Sequence, residues 1–237
     1  MDEYTTSPLS DDNNPKRSVK EAITTFCQEH KAICFMAVIL AIIAIIATVQ
    51  ALTKPKYDVF IMYAGPTYAA SADVYGGVTG TVSDICAKTD DKEIQVSFST
   101  IIYVPPHLAE KYEDDGIYYN GAQNADAITN FNYALAAGDY NIIFIDKTLY
   151  ETTKDLDVFV PLSELGISSD KAIDEFALAL HGTELAARDG FSALPDDTVA
   201  VMRKYSFIQG ILSNKKTNQK QYELQKEYFC MIAEYLK

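Results

Sequence analysis

Hydrophobic positions follow two regimes along this chain. Residues 32–53 form an apolar run without a charged side chain, bracketed by Lys31 and Lys54. As a helix, such a run rises roughly 33 Å at about 1.5 Å per residue, enough for the roughly 30 Å hydrocarbon core of a bilayer. The stretch from Val38 to Ile46 has no polar face to turn toward water, which sets it apart from the core helix of a water-soluble domain. A cleaved secretory signal has a shorter apolar core and a shorter leader. A lipoprotein anchor needs a small residue before a cysteine at the far end of the run, whereas Cys34 follows Ile33 at the near end. The pattern predicts a retained signal anchor: a transmembrane helix over residues 31–53, meeting the lipid bilayer through residues 32–53, with a tail at 1–30 and a domain at 54–237.

Beyond the anchor, shorter patterns alternate. Residues 57–64 (YDVFIMYA) are nearly continuously apolar and end at Gly65-Pro66, as a strand covered on both faces does. Gly76, Gly77 and Gly80 interrupt residues 67–88, but Val78, Val82, Ile85 and Cys86 recur at helical spacing, predicting a helix in the second half. Ile94, Val96 and Phe98 alternate with polar residues and lead into 101–104, where Pro105-Pro106 stops the strand. Residues 111–124 are rich in turn formers and predict a loop with a small hairpin, with Tyr118 and Tyr119 as exposed aromatics. Asn124 is placed to cap a helix carrying Ile128, Phe131 and Leu135 on one face, and Gly138 to end it. Residues 141–145 (NIIFI) make a third strand, so the unit is βαβαβ and predicts parallel pairing with right-handed crossovers. After Asp146 come a helical turn at 148–154, short strands at 158–160, 176–180 and 198–202, and a helix at 218–236 with Tyr222, Phe229, Ile232, Ala233 and Leu236 inward. The predicted fold class is α/β: an N-terminal transmembrane helix, then one three-layer α/β domain with a mainly parallel sheet and a mixed edge.

Charge adds topology and excludes one partner. Within 20 residues of the apolar run, Lys16, Arg17, Lys20 and Lys31 lie before it, against Lys54 and Lys56 after it. Basic flanks stay in the cytoplasm, so the expected location is the cell membrane, single-pass, with a cytoplasmic N-terminus and an extracellular C-terminal domain. The first 15 residues are polar and aperiodic, and the tail is expected to be disordered. Residues 54–237 hold 16 Lys and Arg against 27 Asp and Glu, a formal charge of −11. That surface repels nucleic acid.

The cysteines and histidines add little chemistry. Cys27 and Cys34 sit in or beside the anchor, leaving Cys86 and Cys230 either to pair or to stand as buried thiols on helices. No Cys-x-x-Cys or Cys/His cluster offers a zinc site. His107 and His181 lack a nucleophile elbow, P-loop or HExxH beside them. Carboxylate pairs at Asp90-Asp91, Asp114-Asp115 and Asp196-Asp197 adjoin turns, where they serve local backbone bonds. The chain is therefore read as non-catalytic, with no metal and no cofactor.

The segments 136–146 (AAGDYNIIFID) and 157–165 (DVFVPLSEL), with the opening YDVFIMYAG, resemble extracellular solute-binding proteins of ABC importers. The resemblance implies a single lobe, reduced in size and held by a helix rather than a lipid. In open parallel sheets, ligands sit beyond the carboxyl ends of the strands. Here those ends supply Tyr63, Gly65, Pro66, Thr67, Tyr68, Tyr103, Asp146, Lys147 and Tyr150. Tyrosine rings suit a sugar or peptide, and Asp146 can accept bonds from hydroxyl or ammonium groups. The plainer reading is that these tyrosines complete the core. Two functions follow: a membrane-anchored ligand-binding or sensing module for a small polar ligand such as a sugar, amino acid or peptide, or an interaction protein docking onto a membrane or envelope partner.

Overall fold

The computed structural model describes residues 26, 28–53, 56–66, 69, 71–87, 94–113, 118–205 and 215–237. It divides into two compact units, Met1–Pro55 and Lys56–Lys237. In the first unit, helix α1 (Lys31–Thr53) is long and apolar enough, over Lys31–Val49, to cross a membrane. Helical bonding starts earlier, with His30 N donating to Phe26 O at 2.9 Å. The remainder of the expected disordered tail, residues 1–25 and 27, lies outside the described residues.

The second unit is an α/β domain built on five strands: β1 (Val59–Gly65), β2 (Val96–Ile102), β3 (Ile142–Asp146), β4 (Ala177–Ala179) and β5 (Thr198–Met202). Their order across the sheet is β2-β1-β3-β5-β4. β1 pairs in parallel with β2 and β3, while β5 runs antiparallel to both β3 and β4. The sheet is thus mixed, with β5 alone reversed. The strands read as continuous apolar runs because both faces are covered: Ile61, Tyr63, Ile142 and Phe144 join one core cluster, and Met62, Ala64, Ile143 and Ile145 the other.

Helices α2 (Ala72–Cys86) and α6 (Lys215–Ala233) cover the first face, and α4 (Gly121–Ala137) and α5 (Lys147–Thr153) the second. A short helix α3 (Ala109–Glu113) precedes α4. Four features depart from the sequence reading. The three glycines do not break α2 but lie inside it, and Gly77 is where the helix touches the turn at Gly190: a Cβ on Gly77 would sit 2.5 Å from Gly190 N. The turn-rich stretch at 111–124 contributes the end of α3 and the start of α4 rather than a hairpin, residues 114–117 being outside the described set. The cap of α4 is Asn120, whose side chain accepts from Ala122 N and Gln123 N; an Asn-Gly pair signals a helix cap as readily as a tight turn. Ile128 is exposed at 38%, and Ala127 takes the buried position beside Phe131 and Leu135.

Gly138 ends α4 at φ 81°, as its position predicts. Residues 158–160 form one bridge, Phe159 to Arg203, instead of a strand, because Asp157 at φ 56° and Pro161 confine the extended segment to three residues. Arg203 is buried and donates to Leu135 O and Asn141 Oδ1, placing a cation at the carboxyl end of α4, where the helix dipole favours it. Burial lowers its pKa to about 10. The final helix α6 buries Tyr222, Gln225, Phe229, Ile232 and Ala233, and the 3-10 turn after it buries Leu236, so all five side chains named from the pattern are inside. Gln225 accepts from Phe60 N and donates to Asp58 O, filling the edge of β1 ahead of the point where β3 begins to pair. Cys86 and Cys230 are free thiols, both on helices; burial pushes the Cys86 thiol up to about 12.

Candidate functional site

The strand-end residues singled out from sequence converge on one end of the sheet, and most are inside the domain. Tyr63 and Tyr150 are wholly buried, Tyr103 and Asp146 nearly so, and Gly65 and Pro66 are buried with them. Lys147 is exposed; Thr67 and Tyr68 lie outside the described residues. The Tyr63 ring folds along its own strand, so that a Cβ at Gly65 would lie 2.4 Å from Tyr63 Oη. Gly65 O accepts from Tyr103 N at 3.0 Å, carrying the β1–β2 contact past the last paired residue.

The polar groups at this end are engaged with one another. Asp146 caps α5, its Oδ1 accepting from Thr148 N at 2.8 Å and Leu149 N at 3.2 Å. Burial raises its pKa, outweighing the capping bonds that lower it. Tyr103 is raised as well, by burial first and then by Asp146. The Tyr150 hydroxyl donates to Asp174 at 2.7 Å, while Asp174 Oδ1 accepts from Phe176 N and Ala177 N. Burial and Asp174 together hold the Tyr150 phenol well above its usual range. Asn124, read as a helix cap, instead grips Val104, accepting from its N–H and donating to its carbonyl.

Elsewhere, Tyr57, Asp58, Lys220, Gln221, Glu223, Leu224 and Glu227 line an open depression of about 480 Å³ at the opposite, amino end of β1. His181 Nδ1 lies 2.9 Å from Asp196 on the surface, and His107 sits exposed in a 3-10 turn. Among the described residues no group of three or more His, Cys, Asp or Glu is arranged to hold a metal ion. Asp90, Asp91, Asp114 and Asp115 lie outside those residues.

The exposed aromatics expected at Tyr118 and Tyr119 are at the surface, and a charge-poor stretch that the sequence reading missed continues beyond them. On α4 and the two tyrosines before it, Tyr118 is 72% exposed, Tyr133 69%, Tyr119 40% and Ile128 38%. Residues 118–137 contain one charged side chain, Asp126, among twenty, within a domain holding 43 charges. The signal was present in the sequence as a gap in the charge pattern; the buried stripe of α4 drew attention away from it. No family model, curated protein or solved structure matches this chain.

Proposed function

We propose that this chain is a membrane-anchored, non-catalytic interaction module. In this reading α1 crosses the bilayer once from a cytoplasmic N-terminus, and the outer α/β domain docks onto a protein partner through the exposed tyrosines on and before α4. The observation that carries it is a charge-poor stretch, residues 118–137, in which Tyr118, Tyr119 and Tyr133 are exposed, within a domain of net charge −11. Depletion of charge with enrichment of aromatic residues is the composition of an interface core. The test places a photo-crosslinking amino acid at Tyr133 in the full chain in membranes, with position 155 as the control. A discrete protein adduct from 133 and none from 155 is the expected outcome; equal labelling from both ends the proposal.

A second reading, a sensor for a small polar ligand resembling a reduced solute-binding protein, is favoured by the convergence of Tyr103 and Asp146 at the strand ends. Its ligand would have to compete with the backbone N–H groups of Thr148 and Leu149 for the Asp146 carboxylate. Thermal-shift measurements on the detergent-solubilised chain against sugars, amino acids and short peptides separate the two: a saturable rise of several degrees belongs to the sensor, a flat response to the docking module.

A further inference from the structure

One edge of the sheet carries bare backbone. Gln95 O accepts from Asp58 N and Val59 N, and Tyr103 N donates to Gly65 O, so the odd-numbered residues of β2 turn their backbone groups toward β1. The even-numbered residues turn theirs away. At the two ends that outward backbone is held by side chains: Ser83 Oγ donates to Ile94 O at 2.9 Å, and Asn124 clasps both the N–H and the carbonyl of Val104. Between these ends, Val96, Phe98, Thr100 and Ile102 present four N–H and four carbonyl groups to which no described residue forms a hydrogen bond. The opposite edge is closed by the chain itself: along β4, Ile173 N donates to Ala177 O at 2.9 Å and Ala179 N to Lys171 O at 2.8 Å.

Open edges are normally blunted by a lysine, a proline or a bulge. β2 (VSFSTII) has none of these: it is uncharged, contains no proline, and keeps an unbroken register with β1 from Val59–Val96 to Gly65–Ile102. Two helices frame the edge. On one face α2 lays Tyr75, 38% exposed, against Phe98 with ring centroids 5.9 Å apart; on the other α4 reaches β2's end through Asn124. An added strand alternates its side chains between these two walls. Charge chooses the occupant. α2, β2 and α4 carry Asp73, Asp84 and Asp126 and no Lys or Arg, within a domain of net charge −11. A second copy brings like charges together, whereas a cationic segment is drawn in.

We propose that β2 takes up an extended, basic peptide segment of a partner protein, about as long as β2 itself, as a further strand of the sheet. Main-chain bonds to Val96, Phe98, Thr100 and Ile102 supply affinity, and alternating side chains supply selection: apolar ones on Tyr75 and Phe98, basic ones on the side of α4, whose one charge is Asp126. The clasps of Ser83 and Asn124 set the length. This site is the sheet edge and not the exposed tyrosines of residues 118–137, so neither reading depends on the other.

The probe is a peptide of alternating valine and lysine, as long as β2, added to the full chain in detergent micelles and followed by amide hydrogen exchange read residue by residue. Binding is expected to saturate, with exchange slowed about tenfold or more at Val96, Phe98, Thr100 and Ile102 and unchanged at Ser97, Ser99 and Ile101, which already face β1. A valine–glutamate peptide should bind about tenfold more weakly, with the gap narrowing as salt rises. Thr100→Pro removes an outward donor and no bond to β1, so it should abolish binding with little change in Tm. No binding, or protection without that alternation, overturns the proposal, and equal affinity for the two peptides overturns the basic partner. Protection that rises with protein concentration in the absence of peptide means that a second copy fills the edge, which overturns it as well.

Discussion

Asp174 serves three donors at once: the Tyr150 hydroxyl and the backbone N–H groups of Phe176 and Ala177. Each neutral bond contributes about 1 kcal/mol net, bonds to a charged acceptor about 1.5–3, and donors left buried without a partner cost more. Tyr150→Phe is therefore expected to cost about 1–2 kcal/mol and Asp174→Ala about 3, with a double-mutant cycle on thermal melts showing positive coupling between them. Asp146 behaves differently. Its carboxyl titrates above its usual 3.8 because burial outweighs the cap. A raised carboxyl holds its proton more tightly folded than unfolded, so its stabilising contribution is complete below about 3.8 and is lost as pH rises through the folded value. Asp146→Asn keeps a capping oxygen without the charge. It should melt above the parent at pH 7, with the gap closing as the medium is acidified, whereas Asp146→Ala should lie about 1 kcal/mol below the Asn variant. Burial of these tyrosines was the plainer of the two sequence readings, but their hydrogen-bond partners were not legible: tyrosine and aspartate are as much at home on a rim as inside, and only the tertiary partner decides. Asn124 shows the same limit, since a cap and a backbone clasp ask for the same side chain.

At the level of elements, hydrophobic period carried far. Residues 198–202 read as a strand and form β5 with those bounds, because turn residues close both ends. The glycines of α2 misled, since a glycine costs a helix only about 1 kcal/mol and packing can demand it. The distinction is measurable. A Cβ at Gly76 or Gly80 meets nothing within 4 Å, so Ala at either should stabilise by about 0.5–1 kcal/mol. Gly77→Ala drives a methyl into the Gly190 backbone and should destabilise by about 1–3 kcal/mol. Opposite shifts of Tm from neighbouring residues in one helix would confirm that contact, not propensity, fixes position 77.

For the molecule as a whole, the long apolar helix and the acidic domain were legible from composition alone, because an uncharged apolar run and a charge imbalance need no tertiary knowledge. The surface that distinguishes this domain was not: an absence of charge becomes a feature only once burial shows which side of α4 faces outward. Topology has its own measurement. Ser192 is exposed, so Ser192→Cys should react with a membrane-impermeant thiol reagent in intact cells, while a cysteine in place of Ser18 should react only after lysis. The reverse pattern would invert the orientation drawn from the basic flanks.

The Gln225 clasp on β1 has a consequence in time. Its partners, Asp58 and Phe60, are made 167 and 165 positions before it. At about 5–20 residues per second, roughly 10–30 s separate the synthesis of the two halves of that contact. Through that interval β1 lacks the Gln225 side chain at its leading edge. A nascent chain stopped before residue 215 should therefore be held by chaperones and cut by proteases around residues 56–60, and become resistant once α6 has emerged.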